Sequence, residues 1–398
     1  MTIRTATFDD TEAIAALYEV SFPGIVKTHM EWCEDLQPNP LRSFDDIYVA
    51  ETNGIVTGTL TLYPHTITIA GAAIKSGGVA GVAVLPEHCM HGIAKQLMSE
   101  AYASMHATGT PLSLLYPFKH SFYQKQGYGL VGEIHTLTVP SHAIPRFSER
   151  DDVHPLSDHE LPLLAECYDA FAAMNTCVIT RSLEAWRFLL KRARKNHWNF
   201  WCHHHEGRIA GYMLIDEKDA VTVKELVYLS PETLRGLLGF LAVYKTHSPI
   251  CIPHTRDEQL HLLLTDPVDI SNRMLYGLFP LSGLFGHGYM LRIVDVLEAL
   301  RQRRFNAAVG SVTFHILDDQ IPENTTAISL FFNGDSVSIS SEITHNIISL
   351  TVSTFAQFYA GYLSPTSARR LGLIDTYFDL SFLDTAFAVP SPHCLDFF

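Results

Sequence analysis

Residues 77–94 read Gly-Gly-Val-Ala-Gly-Val-Ala-Val-Leu-Pro-Glu-His-Cys-Met-His-Gly-Ile-Ala, and residues 122–128 read Phe-Tyr-Gln-Lys-Gln-Gly-Tyr. The β-branched Val79, Val82 and Val84 predict a strand over 79–84, and Pro86 ends it because proline cannot donate to a ladder. From about 92 to 106 the apolar Ile93, Leu97, Met98, Ala101 and Met105 mark one face of a helix. A strand that runs into a helix start of small residues makes a place for phosphate, because unpaired backbone N–H groups and the helix dipole both favour an anion there. A splay of the strand at 82–84, of the kind a β-bulge makes, offers backbone groups to an extended amide chain. Tyr123 follows one strand and one helix later, where it can serve that place with a proton. Taken alone, the run 77–94 fits a plain strand–turn–helix equally well.

On the N-terminal side, residues 3–5 predict a short strand, and Asp9 or Asp10 caps a helix carrying Ile14, Ala15, Leu17 and Val20. A second helix is expected over 28–36, with Trp32 on one face and Glu31, Glu34 and Asp35 on others. Asn53-Gly54 joins 47–51 to 55–63 as a β-hairpin, a further strand covers 66–70, and Gly77-Gly78 opens the strand at 79. After the helix, 111–116 reads as a buried strand, 120–125 as a short helix closed by Gly127, and 135–139 as a strand.

Residues 140–158 are polar, proline-containing and of mixed charge, which predicts a domain boundary. Helices over 161–174 and 183–195 follow, then strands over 198–204, 209–216 and 221–228, a helix over 231–245, and strands at 250–252 and 260–264. This order repeats that of the first part without a glycine turn between strand and helix, the pattern of a duplicated fold with a dead site. From 288 the pattern changes: an amphipathic helix is expected over 291–304, its end carrying Arg301, Arg303 and Arg304. Strands over 311–317, 326–332, 337–340 and 347–351 and helices over 355–362 and 368–371 come next. A chain that closes on Phe397-Phe398 is expected to be docked at its end.

The chain of 398 residues is long enough for two or three domains, and 47% hydrophobic with 18% charged residues describes a folded globular protein. A formal charge of −14 without lysine or arginine clusters of any length argues against nucleic acid and is compatible with a cationic substrate. The start Met-Thr-Ile-Arg-Thr-Ala lacks the layout of a signal peptide, and no apolar run reaches the ~20 residues of a membrane span. Seven scattered cysteines without a C-x-x-C pair fit reduced thiols and a cytoplasmic location. No metal is expected, because Cys202 and His203–His205 alternate faces on a strand. Cys89 sits at a helix start, where a thiolate would be stabilised, but no covalent role is expected of it.

Residues 82–86 (Val-Ala-Val-Leu-Pro) with Gly92-Ile93-Ala94 resemble the acetyl-coenzyme A loop of GCN5-related N-acetyltransferases (GNAT), and 122–128 resembles the later tyrosine segment of that superfamily. Val223-Lys224-Glu225-Leu226, the run from Tyr289 to Val296, Thr354-Phe355-Ala356-Gln357 with Gly361-Tyr362, Leu383-Asp384 and the ending Cys394-Leu395-Asp396-Phe397-Phe398 resemble the Eis-type (enhanced intracellular survival) branch. The resemblance spans nearly the whole chain, and the ending is its most specific part because the superfamily at large lacks it.

The resemblance implies a mixed α/β (α+β) architecture: a GNAT domain over 1–145, a second, degenerate one over 146–287, and a sterol-carrier-like α/β domain over 288–398. It implies an N-acetyltransferase that moves acetyl from acetyl-coenzyme A to a primary amine of the aminoglycoside, polyamine or lysine type, without a metal, in a hexamer. The alternative is a non-catalytic binder of acetyl-coenzyme A or a lipid-like ligand. By the same resemblance, Val82, Ala83 and Val84 bond the pantetheine arm and Met90, His91, Gly92, Ile93, Ala94 and Lys95 cradle the pyrophosphate. Phe118 and Lys119 flank the arm, Tyr123 is the general acid, and the Phe398 carboxylate is the general base. With a reference pKa of about 3.3–3.7, a terminal carboxylate must be raised by burial to act so.

Where the family carries basic residues this chain has Cys89, Met90 and His91. The loss of a charge-assisted contact there is worth ~1–2 kcal/mol of cofactor binding, with Lys95 and Lys119 as candidates to compensate. The acidic Glu31, Glu34, Asp35 and Asp396 read either as an amine-binding lining or as a solvated surface.

Overall fold

The computed structural model describes residues 1–244, 248–269, 271, 273–275, 277–394 and 396. They form two compact units, one of Met1–Val131 and Tyr289–Val389 with Asp396, the other of Gly132–Gly288 with 390–394.

In the first unit the chain runs β1 (Thr2–Thr5), α1 (Thr11–Ser21), α2 (His29–Leu36), β2 (Ile47–Thr52), β3 (Ile55–Ile69), β4 (Ala72–Val84), α3 (Ile93–Ala107), β5 (Leu112–Leu115), α4 (His120–Gln124) and β6 (Gly129–Leu130). The sheet order is β1-β2-β3-β4-β5, then Met290–Ile293, then β6. Alternation along β2 sorts its side chains between two layers. Ile47 and Val49 pack with Ile14, Leu17, Trp32 and Leu36 of α1 and α2, while Tyr48 and Ala50 pack with Leu97, Met98 and Ala101 of α3.

Parts of this sheet and its neighbours differ from the expectation. β3 and β4 are each continuous, joined at Ala70-Gly71 (φ +52° and +71°), so Gly77 opens no strand. A Cβ on Gly77 would stand 2.5 Å from Met105 Sδ and 2.6 Å from Leu62 Cδ1, so its glycine serves the close approach of α3. The helix expected over 291–304 is instead a strand, Met290–Ile293, and a shorter helix, Val296–Gln302, separated by Asp295. Asp295 caps that helix by accepting from the Glu298 N–H at 2.9 Å.

The same unit holds a four-stranded sheet in the order Ser336–Ser340, Ala327–Gly334, Ala308–Leu317, Ile347–Thr351, with the last pair parallel. Helices Val352–Tyr359, Pro365–Arg370 and Ser381–Phe387 complete it; sequence periodicity did not mark the last.

The second unit is a seven-stranded sheet in the order Gly283–His287, Glu133–Val139, Ile250–His254, Val221–Tyr228, Arg208–Asp216, Trp198–His205, Val153–Pro155. Leu161–Met174, Leu183–Lys195 and Pro231–Leu241 are its helices. Residues 260–264 were expected as a strand, but Leu260–Leu263 is a 3-10 turn that buries Leu260 and leaves Leu262 exposed.

Candidate active site

The centre of the first sheet is interrupted where the sequence asks for it. The register of β4 against β3 slips between Thr59 and Thr61, opposite Gly81 at φ +57°. A Cβ on Gly81 would lie 2.1 Å from the Tyr18 hydroxyl oxygen, so only glycine lets α1 close onto this bulge. The parallel pairing of β4 with β5 runs from Ser76 opposite Leu112 to Val79 opposite Leu115 and stops. Pairing with β3 continues to Val84 opposite Gly58. Val82, Ala83 and Val84 therefore have one backbone edge that β5 does not cover, the geometry an extended amide chain needs in order to add itself as a partial strand.

β4 then delivers the chain through a tight turn. The Leu85 N–H bonds to Thr57 O at 3.0 Å, and the N–H groups of His88 and Cys89 bond back to Leu85 O (2.9 Å) and Pro86 O (3.2 Å). Met90 takes φ +67° with its side chain fully exposed, and Gly92 takes φ +80° as the residue before α3. A left-handed non-glycine residue costs on the order of 1–3 kcal/mol and marks a functional segment when it persists. No side chain caps α3 and its first turn holds no acidic residue, so the orphan N–H groups there stay available to an anion. A Cβ on Gly92 would meet nothing within 4 Å, and Ile93 is buried in the core beneath while His91 and Lys95 are exposed. The cradle is open space bounded by backbone donors and fits a pyrophosphate.

The corresponding helix of the second unit is closed by its own sequence. Ser230 accepts from the Thr233 N–H at 3.2 Å, and Pro231 occupies the first helical position. The first turn of that helix holds its own cap, the physical content of a degenerate second domain.

Tyr123 lies on α4 and is buried, with Phe118, Phe122 and Tyr128 edge-on at 5.4, 5.0 and 5.9 Å between ring centroids. Burial among these rings pushes its phenol well above the ordinary tyrosine value, keeping it protonated as a proton donor must be. Val82, Val84 and Phe122 pack against the cluster that also contains Val79, Ile93, Leu115 and Tyr123, so strand, helix start and tyrosine share one core. Phe118 and Lys119 are exposed.

Phe398 lies outside the described residues. Two positions earlier, Asp396 accepts through its backbone oxygen from the Tyr116 hydroxyl at 3.1 Å, one residue past β5. Of the acidic set, Glu31 forms the capping box of α2 with Thr28 (2.8 and 2.9 Å), and Asp35 pairs with Lys27. Both carboxylates have structural partners.

One element beside the tyrosine loop was not anticipated. Arg292, on the strand inserted beside β5, is fully buried and stacks over the Tyr102 ring at 4.6 Å. It donates to Gln126 O and, at 2.9 Å each, to both Asp318 oxygens. A Cβ on Gly127 would fall 1.5 Å from Arg292 Nη1, so the turn after Tyr123 is shaped around this guanidinium. An arginine between Leu291 and Ile293 in an apolar run was the available signal.

Residues 2–131 match an acetyltransferase (GNAT) domain family, residues 177–293 match a second one, and residues 296–395 match a sterol carrier protein domain family. The chain carries two GNAT acetyltransferase domains and a sterol carrier protein domain. No curated protein matches the sequence. Among solved structures, a GCN5-related N-acetyltransferase from Anabaena variabilis is similar over 100% of both chains at 19% identity, with a TM-score of 0.85. Eis1 from Mycobacterium abscessus is similar over 100% of both at 20% identity and 0.81, and a GCN5-related N-acetyltransferase from Kribbella flavida over 100% of both at 19% and 0.82. At these identities the likeness is one of fold, and the three structures share it over their whole length. Acetyl-coenzyme A is the acyl donor of the GNAT family.

Proposed function

We propose that this protein is an acetyl-coenzyme A-dependent N-acetyltransferase acting on a primary amine of the aminoglycoside, polyamine or lysine type. The observation that carries the reading is the uncovered edge of β4 at Val82–Val84 running into an uncapped, glycine-preceded helix. The pantetheine amides bond along Val82, Ala83 and Val84, and the pyrophosphate sits on the N–H groups of 90–95, with Phe118 and Lys119 beside the arm.

In the ternary complex the amine nitrogen attacks the acetyl carbonyl directly. The Phe398 carboxylate takes the amine proton, the carbon–sulfur bond of the tetrahedral intermediate breaks, and Tyr123 gives its phenolic proton to the departing thiolate. The docking of Asp396 on Tyr116 supports this use of the chain end. We infer three modules at 1–145, 146–287 and 288–398, a cytoplasmic location and a hexameric assembly. Among the described residues no helix is long and apolar enough to cross a membrane.

Calorimetry with coenzyme A tests the reading: the wild-type protein binds, and Gly92→Val, which puts a branched side chain into the cradle, weakens binding at least tenfold. Equal affinity in the two proteins contradicts it. A second reading, a lipid-like ligand binder, rests on a cavity of about 570 Å³ in the sterol carrier sheet, lined by Leu297, Leu300, Phe305, Ile328, Val337 and Ile339.

A further inference from the structure

α1 and α2 pack through Ile14, Leu17 and Tyr18 against Trp32 and Leu36, and on the solvent side of that contact they bring four ligand-type side chains together. His29 and Cys33, one helical turn apart on α2, share a face. Glu12 on α1 lies across from them, and one ligand atom from each of Glu12, His29 and Cys33 falls within 4.8 Å of the other two. Glu12 Oε2 is 2.7 Å from His29 Nε2, and Glu19 Oε1 is 3.2 Å from His29 Nδ1 on the opposite side of the ring.

We propose that Glu12, His29 and Cys33 form a site for a single divalent cation of the zinc class, with Glu19 orienting the imidazole. The chemistry of the donor set carries the inference. A tetrahedral zinc-type ion takes imidazole nitrogen, thiolate and carboxylate together, with ligand atoms about 3.3–3.8 Å apart. Side-chain rotation about Cys33 and the exposed Glu12 closes the remaining gap. Glu19 stands where a carboxylate accepts the second ring N–H of a metal-bound histidine, which fixes Nε2 as the coordinating atom. The cation takes the place of the Nε2 and thiol protons and leaves one position open to water.

A sulfur ligand separates this site from a histidine merely held by two carboxylates. The spacing carries no sequence signature, because the ligands come from two helices and only His29 and Cys33 share one. An ion here staples α1 to α2 next to Trp32 and Tyr18, whose hydroxyl abuts the Gly81 bulge.

Cobalt(II) titration of the metal-free full-length protein tests the proposal. The expected result is a saturable thiolate-to-cobalt charge-transfer band at one equivalent, displaced by zinc. It is abolished in Cys33→Ser, kept in Cys89→Ser, and shifted to about 10–100-fold higher cobalt in Glu19→Gln. Glu12→Gln, at an exposed position that leaves the fold intact, weakens the band independently. A wild-type protein with no band, which would leave only the ion pair, or a band that survives Cys33→Ser overturns the proposal.

Discussion

Arg292 and Asp318 meet as a bidentate pair, both oxygens at 2.9 Å and both side chains no more than 1% exposed, directly behind the turn that follows Tyr123. Asp318 is held in turn by the N–H groups of Gln320 and Ile321 and by the Asn324 amide, so the pair is satisfied on the carboxylate side. Through Gln126 O the guanidinium joins the sterol carrier segment to the tyrosine loop of the first GNAT domain. Removing one partner leaves a buried charge without its counterpart. Asp318→Asn is expected to destabilise the protein by about 3–5 kcal/mol in denaturant unfolding, whereas the exposed Asp319→Asn stays within about 0.5 kcal/mol.

Tyr123→Phe removes the proposed proton donor and keeps the ring contacts. Turnover is expected to fall ~10²–10⁴-fold while coenzyme A affinity measured by calorimetry stays within twofold. Loss of both together would mean that the residue holds the fold instead.

Gly81→Ala adds a methyl group at φ +57° against the Tyr18 hydroxyl. Strain of about 1–3 kcal/mol is expected, with weaker coenzyme A binding because the bulge sets the edge at Val82. The double variant with Tyr18→Phe recovers part of the affinity by removing the atom the methyl group meets; no recovery would place the damage elsewhere.

Burial raises the phenols of Tyr18 and Tyr128, each to about 12, as it raises Tyr123. A raised folded-state value means that stability is fully present below the unfolded value of about 10 and is lost as pH rises through the folded one. Unfolding free energy is expected to hold flat from neutral pH to about 10 and to fall between about 10 and 12. The tyrosinate absorbance rise should coincide with unfolding; titration of these groups at pH 10 in the folded protein would contradict it.

Local patterns carried the first sheet and its bulge: Val79, Val82 and Val84, the stop at Pro86 and the helix face of Ile93, Leu97 and Ala101 are all short-range signals. Non-local pairing was the part that did not show. Leu291, Ile293, Val294, Val296 and Leu300 fit a helical stripe, yet Met290 and Leu291 find partners at Leu115 and Leu114 on one side and Leu130 and Gly129 on the other. An insertion of this kind is decided by strands more than a hundred residues away. Gly77 reads as the opening of a strand because sequence cannot distinguish a glycine that starts an element from one needed for the approach of Met105. At the site, the resemblance named the cradle and Tyr123. Arg292 and the Glu12–His29–Cys33 group depend on which side chains meet in space.

On the proposed reading, the cradle at 82–95 and Tyr123 transfer acetyl to an amine. The decisive measurement is mass spectrometry of acetylated product from acetyl-coenzyme A and a panel of aminoglycosides, polyamines and lysine peptides, with wild type, Tyr123→Phe and a form extended by a few residues after Phe398. Product is expected with at least one amine in the wild type, and at least a hundredfold less in the other two. No product from any amine by a protein that binds coenzyme A, or undiminished product from Tyr123→Phe, would contradict it.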